Sequence, residues 1–242
     1  MPRFFSPSEK ISVNKIILAD KEQVHHLKDV LRLKPQDKLT VFDEQGNEYT
    51  CRIDKITEKV SLVIQAQKKP QKNKMKITVA CAIPKKSKFD EIVDKLTQLG
   101  VDKIIPLQTQ RVVVKLEKNK KISRRIRWEK IALSAAQQSQ RNTLPVIAPV
   151  QEMREALSQA GNYDLKLIPH LSGRRKTLRE IFVKRKARNI LIFIGPEGDF
   201  TPEEVRMAIN AGCIPVTLGD TVLRVDTAAM AIVSFIRLYA DY

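Results

Sequence analysis

The spacing of apolar and polar positions changes character about a third of the way along the chain. Up to residue 70 the apolar residues fall in short, β-branched runs. "KLTVFD" (38–43) and "EYTCRID" (48–54) flank the turn "EQGN", and "VSLVIQA" (60–66) follows closely. Such runs predict a small β-barrel or sandwich. One helical stretch interrupts them, "KEQVHHLKDVLR" (21–32), whose spacing puts Val24, Leu27, Val30 and Leu31 on a shared face. The lysine-rich, proline-broken "QKKPQKNKMK" (67–76) predicts a linker. Beyond it, strand and helix alternate. "ITVACAI" (77–83) leads to a helix that Ser87 could cap. That helix buries Ile92, Val93, Leu96 and Leu99 and stops at Gly100, a natural position for a left-handed cap. "KIIPL" (103–107), "DLKLIPH" (164–170), "NILIFIG" (189–195) and "CIPVTLG" (213–219) are the later strands, separated by helical patterns. This alternation predicts a parallel sheet covered by helices. Two domains follow, at 1–70 and 74–242.

Hydrophobic residues make up 43% of the 242, enough for a substantial core. The three cysteines, Cys51, Cys81 and Cys213, are far apart and lack CxxC spacing, which argues for free thiols and against a zinc site. His25 and His26 have no further ligand nearby, so no metal is expected. No signal-like N-terminus or membrane-length apolar run is present, so a cytoplasmic protein is expected. The formal net charge is +17. The excess gathers at 111–130 and in "SGRRKTLREIFVKRKAR" (172–188). On one surface these would track RNA phosphates, with Lys120, Lys121, Arg124 and Arg125 foremost. Taken singly, each patch is equally consistent with a solvated helix face.

The stretch "IGPEGDFTPEEV" (194–205) carries candidate chemistry. It lacks the lysine of a phosphate loop, Pro196 has no N–H to donate, and Glu197 and Asp199 would repel phosphate. A ligand without phosphate and with positive charge suits it, and S-adenosyl-L-methionine has that chemistry. Thr201, Pro202 and Glu204 read as a helix cap and not as a site. Gly219 ends a second strand in the same way, before "DTVLRVD" and a helix opening on Ala228, Ala229 and Ala231. Trp128, Phe4, Phe5 and Phe200 could stack on bases, although packing in the core is the more ordinary role.

The chain resembles the SPOUT superfamily of knotted RNA methyltransferases. Within it the likeness is to the bacterial enzymes that methylate N3 of a uridine in small-subunit (16S) ribosomal RNA. The resemblance rests on "MPRFF", "HHLKDVLRL" (25–33), "DKLTQLGVDKIIPLQTQR" (94–111) and "RWEKIALSAAQQSQRNTLP" (127–145), with "IGPEGDFTPEEV" and "LGDTVLRVDTAAMA". It implies a PUA-like β-barrel followed by an α/β domain with a deep trefoil knot, a homodimer, and S-adenosyl-L-methionine held in the knot. The cofactor would lie against Leu167, Ile194, Gly195, Glu197, Gly198, Leu218, Gly219, Leu223 and Thr227. Arg224, Arg111 and Arg141 are candidates for stabilising charge on the uracil, and Asp226 for accepting the proton or orienting Arg224. Arg3, Lys88, Gln138 and Asn142 are further candidates for RNA contact. The chain departs from the family's usual pattern at Asp199, where glycine is common, at Asp220–Thr221, and at Asp226, Gln98 and Gln137. A SPOUT enzyme acting on another RNA position, or an RNA-binding protein with a decayed pocket, would share many of these features.

Overall fold

The computed structural model describes residues 1–70, 75–85, 88–111, 117–183 and 187–240. Ser87, the expected cap, and residues 112–116 and 184–186 of the two basic stretches lie outside them. The chain divides into two compact units, 1–72 with 136–144, and 73–135 with 145–242.

The first unit contains β1 (Arg3–Phe5), β2 (Lys15–Leu18), α1 (Lys21–His25), β3 (Lys38–Phe42), β4 (Glu48–Ile56) and β5 (Val60–Lys68). The three predicted strands are β3, β4 and β5. They form the centre of a five-stranded sheet in the order β1-β3-β4-β5-β2, with β1 parallel to β3 and the other pairs antiparallel. Alternate residues of the strands, among them Ile16, Leu39, Cys51, Ile53 and Leu62, pack into one apolar cluster with Leu27. The buried Asp43 carboxylate shapes the β3–β4 turn by accepting from the amides of Gln45 and Asn47, both at 2.9 Å.

The predicted helix at 21–32 differs from expectation. Asp20 caps α1 by accepting from Gln23 N–H at 2.9 Å. From His26 to Val30 the chain widens into a π-turn, and Leu31 N–H donates to His26 five residues back. The wider turn breaks the 3.6-residue stripe. Val24 and Leu27 are buried as expected, while Val30 is 57% exposed and Leu31 37%.

The second unit contains β6 (Lys76–Ala82), α2 (Lys88–Gln98), β7 (Lys103–Gln108), α3 (Lys118–Gln138), β8 (Val146–Ile147), β9 (Gln151–Glu152) and α4 (Met153–Ser158). There follow β10 (Leu165–Pro169), β11 (Lys176–Thr177), α5 (Leu178–Phe182), β12 (Asn189–Ile194), α6 (Pro202–Asn210), β13 (Ile214–Thr217) and α7 (Val225–Ala240). The last turn of α3 runs into the first unit. The sheet is parallel throughout, in the order β11-β13-β10-β12-β6-β7-β8, with β9 also on β7.

Its faces follow the period of two. In β12, Ile190, Ile192 and Ile194 join a cluster with α2, α3, α5 and α7, while Leu191 and Phe193 join one with α4 and α6. Trp128 is 1% exposed, packs on Phe89 at 4.6 Å between ring centroids, and donates to Asp90 at 3.0 Å. It is a core residue, as are Phe4 and Phe200. After β13, near one edge of the sheet, the chain crosses back so that α7 packs on α2, β6 and β12. Arg237 fixes the far end of α7, donating to Met75 O at 2.9 Å and pairing with Asp102 at 3.1 Å.

Candidate functional site

The carboxyl ends of β10, β12 and β13 open into a solvent-facing cleft. Ligands in α/β proteins sit at such strand ends. Three segments wall it: Pro169–Leu171 with Arg175, Ile194–Glu197 with Asp199, and Val216–Gly219 with Thr221–Leu223. Val225 and Ala228, at the start of α7, lie beneath.

The second wall, between β12 and α6, is heavily braced. Thr201 accepts from Glu204 N–H at 3.2 Å, and Glu204 Oε2 accepts from Thr201 N–H at 2.9 Å, with Pro202 in the first turn. The expected cap is therefore present. Glu204 also does something its sequence position does not reveal. It is 1% exposed, and its second oxygen accepts from Gln110 N–H at 2.9 Å, fastening the turn after β7. Phe200 packs so tightly on Gly195 that a Cβ there would meet its ring at 3.1 Å, so glycine is needed for this close approach. Arg111 donates to Gly198 O at 2.7 Å, and Glu197 accepts from Lys85 N–H at 3.3 Å.

Asp199 explains one of the departures from the family pattern. Its φ is +58°, a left-handed conformation open to glycine and tolerated by Asp and Asn. Its carboxylate accepts from Phe200 N–H at 2.8 Å and from Leu171 N–H at 3.0 Å, in the neighbouring wall. Next to it, burial holds the His170 imidazole below its ordinary pKa, the Asp199 charge opposes that shift, and the Arg175 charge adds to it.

The third wall is sparsely held. Thr217 bonds the amide and the carbonyl of Gly219, at 3.3 and 3.0 Å. Gly219 has φ +122°, which L side chains rarely adopt, and nothing lies within 4 Å of where its Cβ would be. That open backbone is where a flat ligand could approach closely.

Of the cofactor residues expected from sequence, Ile194, Gly195, Glu197, Leu218, Gly219 and Leu223 line the cleft. Leu167 is fully buried in the main core, one strand turn below, and Gly198 and Thr227 do not line the cleft. Arg224 is exposed on the loop entering α7, and Asp226 sits partly buried in the first turn of that helix. Arg111 is outside the cleft lining and donates to Gly198 O. Arg141 belongs to the first unit, where its Nε donates to Thr143 at 3.0 Å.

Among the candidate RNA contacts, Lys88, Lys120 and Gln138 are exposed, and Lys121, Arg124 and Arg125 partly so. Arg3 is engaged within the first unit. Its side chain is 9% exposed, pairs with Glu48 at 3.0 Å, bonds Asn142, and lies over the Phe42 ring. Arg3 is thus held in a structural ion pair, and the Asn142 side-chain oxygen accepts from it. His170, Arg175 and Asp199 are cleft residues that sequence reasoning did not assign. Arg175 is hidden inside a basic run, and the bond from Asp199 to Leu171 leaves no local signal.

All three cysteines are buried and free. Burial raises the thiol pKa of Cys51 and Cys213 to about 12, and that of Cys81 further still, so none is a nucleophile. Among the described residues, no cluster of His, Cys, Asp or Glu could hold a metal ion, and no helix is long and apolar enough to cross a membrane.

Fold and cleft together define an α/β domain that receives its ligand at the ends of parallel strands, against bare backbone and beside acidic groups that disfavour phosphate. Comparison with known proteins gives the family. A family model described as an RNA methyltransferase domain matches residues 71–237, and an RNA methyltransferase PUA domain matches 18–65. The chain is 32% identical over 227 residues to ribosomal RNA small subunit methyltransferase E of Bacillus subtilis, covering 91% of this chain and 89% of that one. A putative methyltransferase from Legionella pneumophila, solved with the bound cofactor SAM, superposes with a TM-score of 0.88 at 31% identity, covering 98% and 96% of the two chains. Ribosomal RNA small subunit methyltransferase E from Neisseria gonorrhoeae, bound to S-adenosyl methionine, superposes at 0.86 with 31% identity, covering 98% and 97%. The chain belongs to the RNA methyltransferase family, with a PUA-like domain before its α/β domain, and is a methyltransferase enzyme.

Proposed function

We propose that this protein uses S-adenosyl-L-methionine to methylate N3 of a uridine in small-subunit ribosomal RNA, as a cytoplasmic homodimer. The observation that carries the reading is the cleft, which has open backbone at Gly219 and a carboxylate at Glu197. These features fit an adenosine and a sulfonium cation. A pocket lost to decay would be filled by side chains, and this one is open. The return of the chain from β13 to α7 is the segment we assign to the threading of the knot.

When bound, the cofactor supplies a methyl group from its sulfonium, which becomes a neutral thioether as the new N–C bond forms. The chain must provide the rest. Uridine N3 carries an imide proton and becomes a competent nucleophile as that proton leaves. Holding the base in line lowers the barrier chiefly through orientation. Arg224, which makes no ion pair among the described residues, donates to the uracil oxygen that gains charge. Asp226, two residues on, accepts the proton or orients Arg224. Arg111, which also holds the Gly198 carbonyl, and Arg141 are the further candidates for stabilising that charge. Lys88, Lys120, Lys121, Arg124 and Arg125 contact RNA phosphates, and Gln138 is a polar contact.

Two measurements test this reading. Calorimetry should show one cofactor site per chain, unaffected by chelators. Mass spectrometry of ribosomal RNA from a deletion strain should show loss of a single N3-methyluridine in the small subunit. Loss of a methyl group from transfer RNA or from a ribose would assign a different RNA position, and no cofactor binding would leave an RNA-binding protein.

A further inference from the structure

Asp199 stands in a conformation that costs most residues free energy, and the backbone there would be served equally well by glycine. What glycine would lack is the side chain. One carboxylate oxygen accepts from the adjacent Phe200 amide at 2.8 Å, which fixes its rotamer. The other accepts from the Leu171 amide at 3.0 Å, 28 residues earlier. Leu171 lies on the loop leaving β10, and Asp199 on the loop leaving β12. Among the described residues, no other hydrogen bond joins these two loops. Both residues line the cleft.

We propose that Asp199 is a positioning residue for the methyl donor, tying the loop after β10 to the loop after β12 and so holding the two walls of the cleft at their binding separation. This rests on the reading that the cleft receives S-adenosylmethionine. A tie of this kind acts before the ligand arrives, lowering the cost of ordering the walls on binding. It works through the amides it holds, with no contact to the reacting methyl group. Its effect falls on affinity more than on turnover, and equally on charged and neutral forms of the ligand. A carboxylate acting by charge alone would favour the sulfonium over the thioether product.

The test compares Asp199→Gly and Asp199→Asn with the wild-type chain. Amide hydrogen exchange at Leu171 is measured without ligand, and binding of S-adenosylmethionine and S-adenosylhomocysteine by calorimetry. In Asp199→Gly the Leu171 amide should exchange faster. Both dissociation constants should rise together by about 10-fold, in keeping with loss of a charge-assisted hydrogen bond, and KM for the cofactor should rise more than kcat falls. Asp199→Asn keeps the left-handed backbone and one acceptor oxygen, so it should fall between. Unchanged Leu171 exchange, wild-type affinity in Asp199→Gly, or weakening confined to S-adenosylmethionine would each overturn the tie. A wild-type chain that bound neither ligand would remove the reading of the cleft itself, before any variant was compared.

Discussion

Two glycine-bearing strand ends face each other across the cleft, and they are built in opposite ways. The loop leaving β12 is held from every side: Phe200 packs on Gly195, Asp199 holds Leu171, Glu197 takes an amide from Lys85, Arg111 grips Gly198, and Thr201 with Glu204 caps the next helix. Among the described residues, the loop leaving β13 has few hydrogen bonds besides those of Thr217 with Gly219, and Asp220, Thr221 and Val222 are exposed. Local stability follows the density of such contacts. The difference teaches that one wall is formed in advance while the other is lightly held. The chemistry proposed for Arg224 falls on the second.

The comparison breaks most visibly at Arg224. If the β13 loop carries the chemistry, Arg224→Ala should lower kcat roughly 100-fold or more at saturating RNA and cofactor, as loss of an oxyanion donor does. Melting temperature and cofactor affinity should barely change. A near-normal kcat would move the chemistry to Arg111 or Arg141.

Gly195→Val tests the braced wall. The added side chain must displace the Phe200 ring, and overpacking of this kind costs about 1–3 kcal/mol. Thermal unfolding should shift down and cofactor binding should fall with it. A variant that melts like wild type would show that the wall is softer than its contacts imply.

How much of this contrast can be read from residues alone depends on the range of the interaction. The strands, the alternation of faces and the Thr201 cap follow from local periodicity and short-range hydrogen bonding, and the sequence contains both. The bonds of Asp199, Glu204 and Arg3 are not legible in the sequence because their partners are far away, at Leu171, Gln110, Glu48 and Asn142. The segment 136–144 joining the first unit is a similar case, since no change of composition marks it. Val30 and Leu31 failed for a different reason, a π-turn that shifts the helical period without any proline or glycine to announce it.

Gly219→Val sharpens the comparison from the open side. A β-branched residue at φ +122° is strained by about 1–3 kcal/mol. With nothing among the described residues within 4 Å of the Gly219 Cβ position, the loop can relieve that strain by moving. Cofactor affinity should drop by about 10-fold while the melting temperature stays close to wild type, the reverse of the balance expected for Gly195→Val. Equal losses of stability in both variants would erase the distinction between the walls.

The smallest effect concerns the cap of α6, where redundancy in the braced wall can be measured. Thr201→Ala removes the acceptor for Glu204 N–H, and such caps contribute about 1 kcal/mol. In a unit of this size that corresponds to a fall of about 2–4 °C in melting temperature. The Glu204 carboxylate would still hold the amides of Thr201 and Gln110, and Asp199 would still hold Leu171. Cofactor affinity should therefore change less than about 3-fold, under 1 kcal/mol, and Thr201→Ser should restore stability. A large loss of affinity on removing this one hydroxyl would mean that the wall depends on its cap, and that its many bonds do not back one another up.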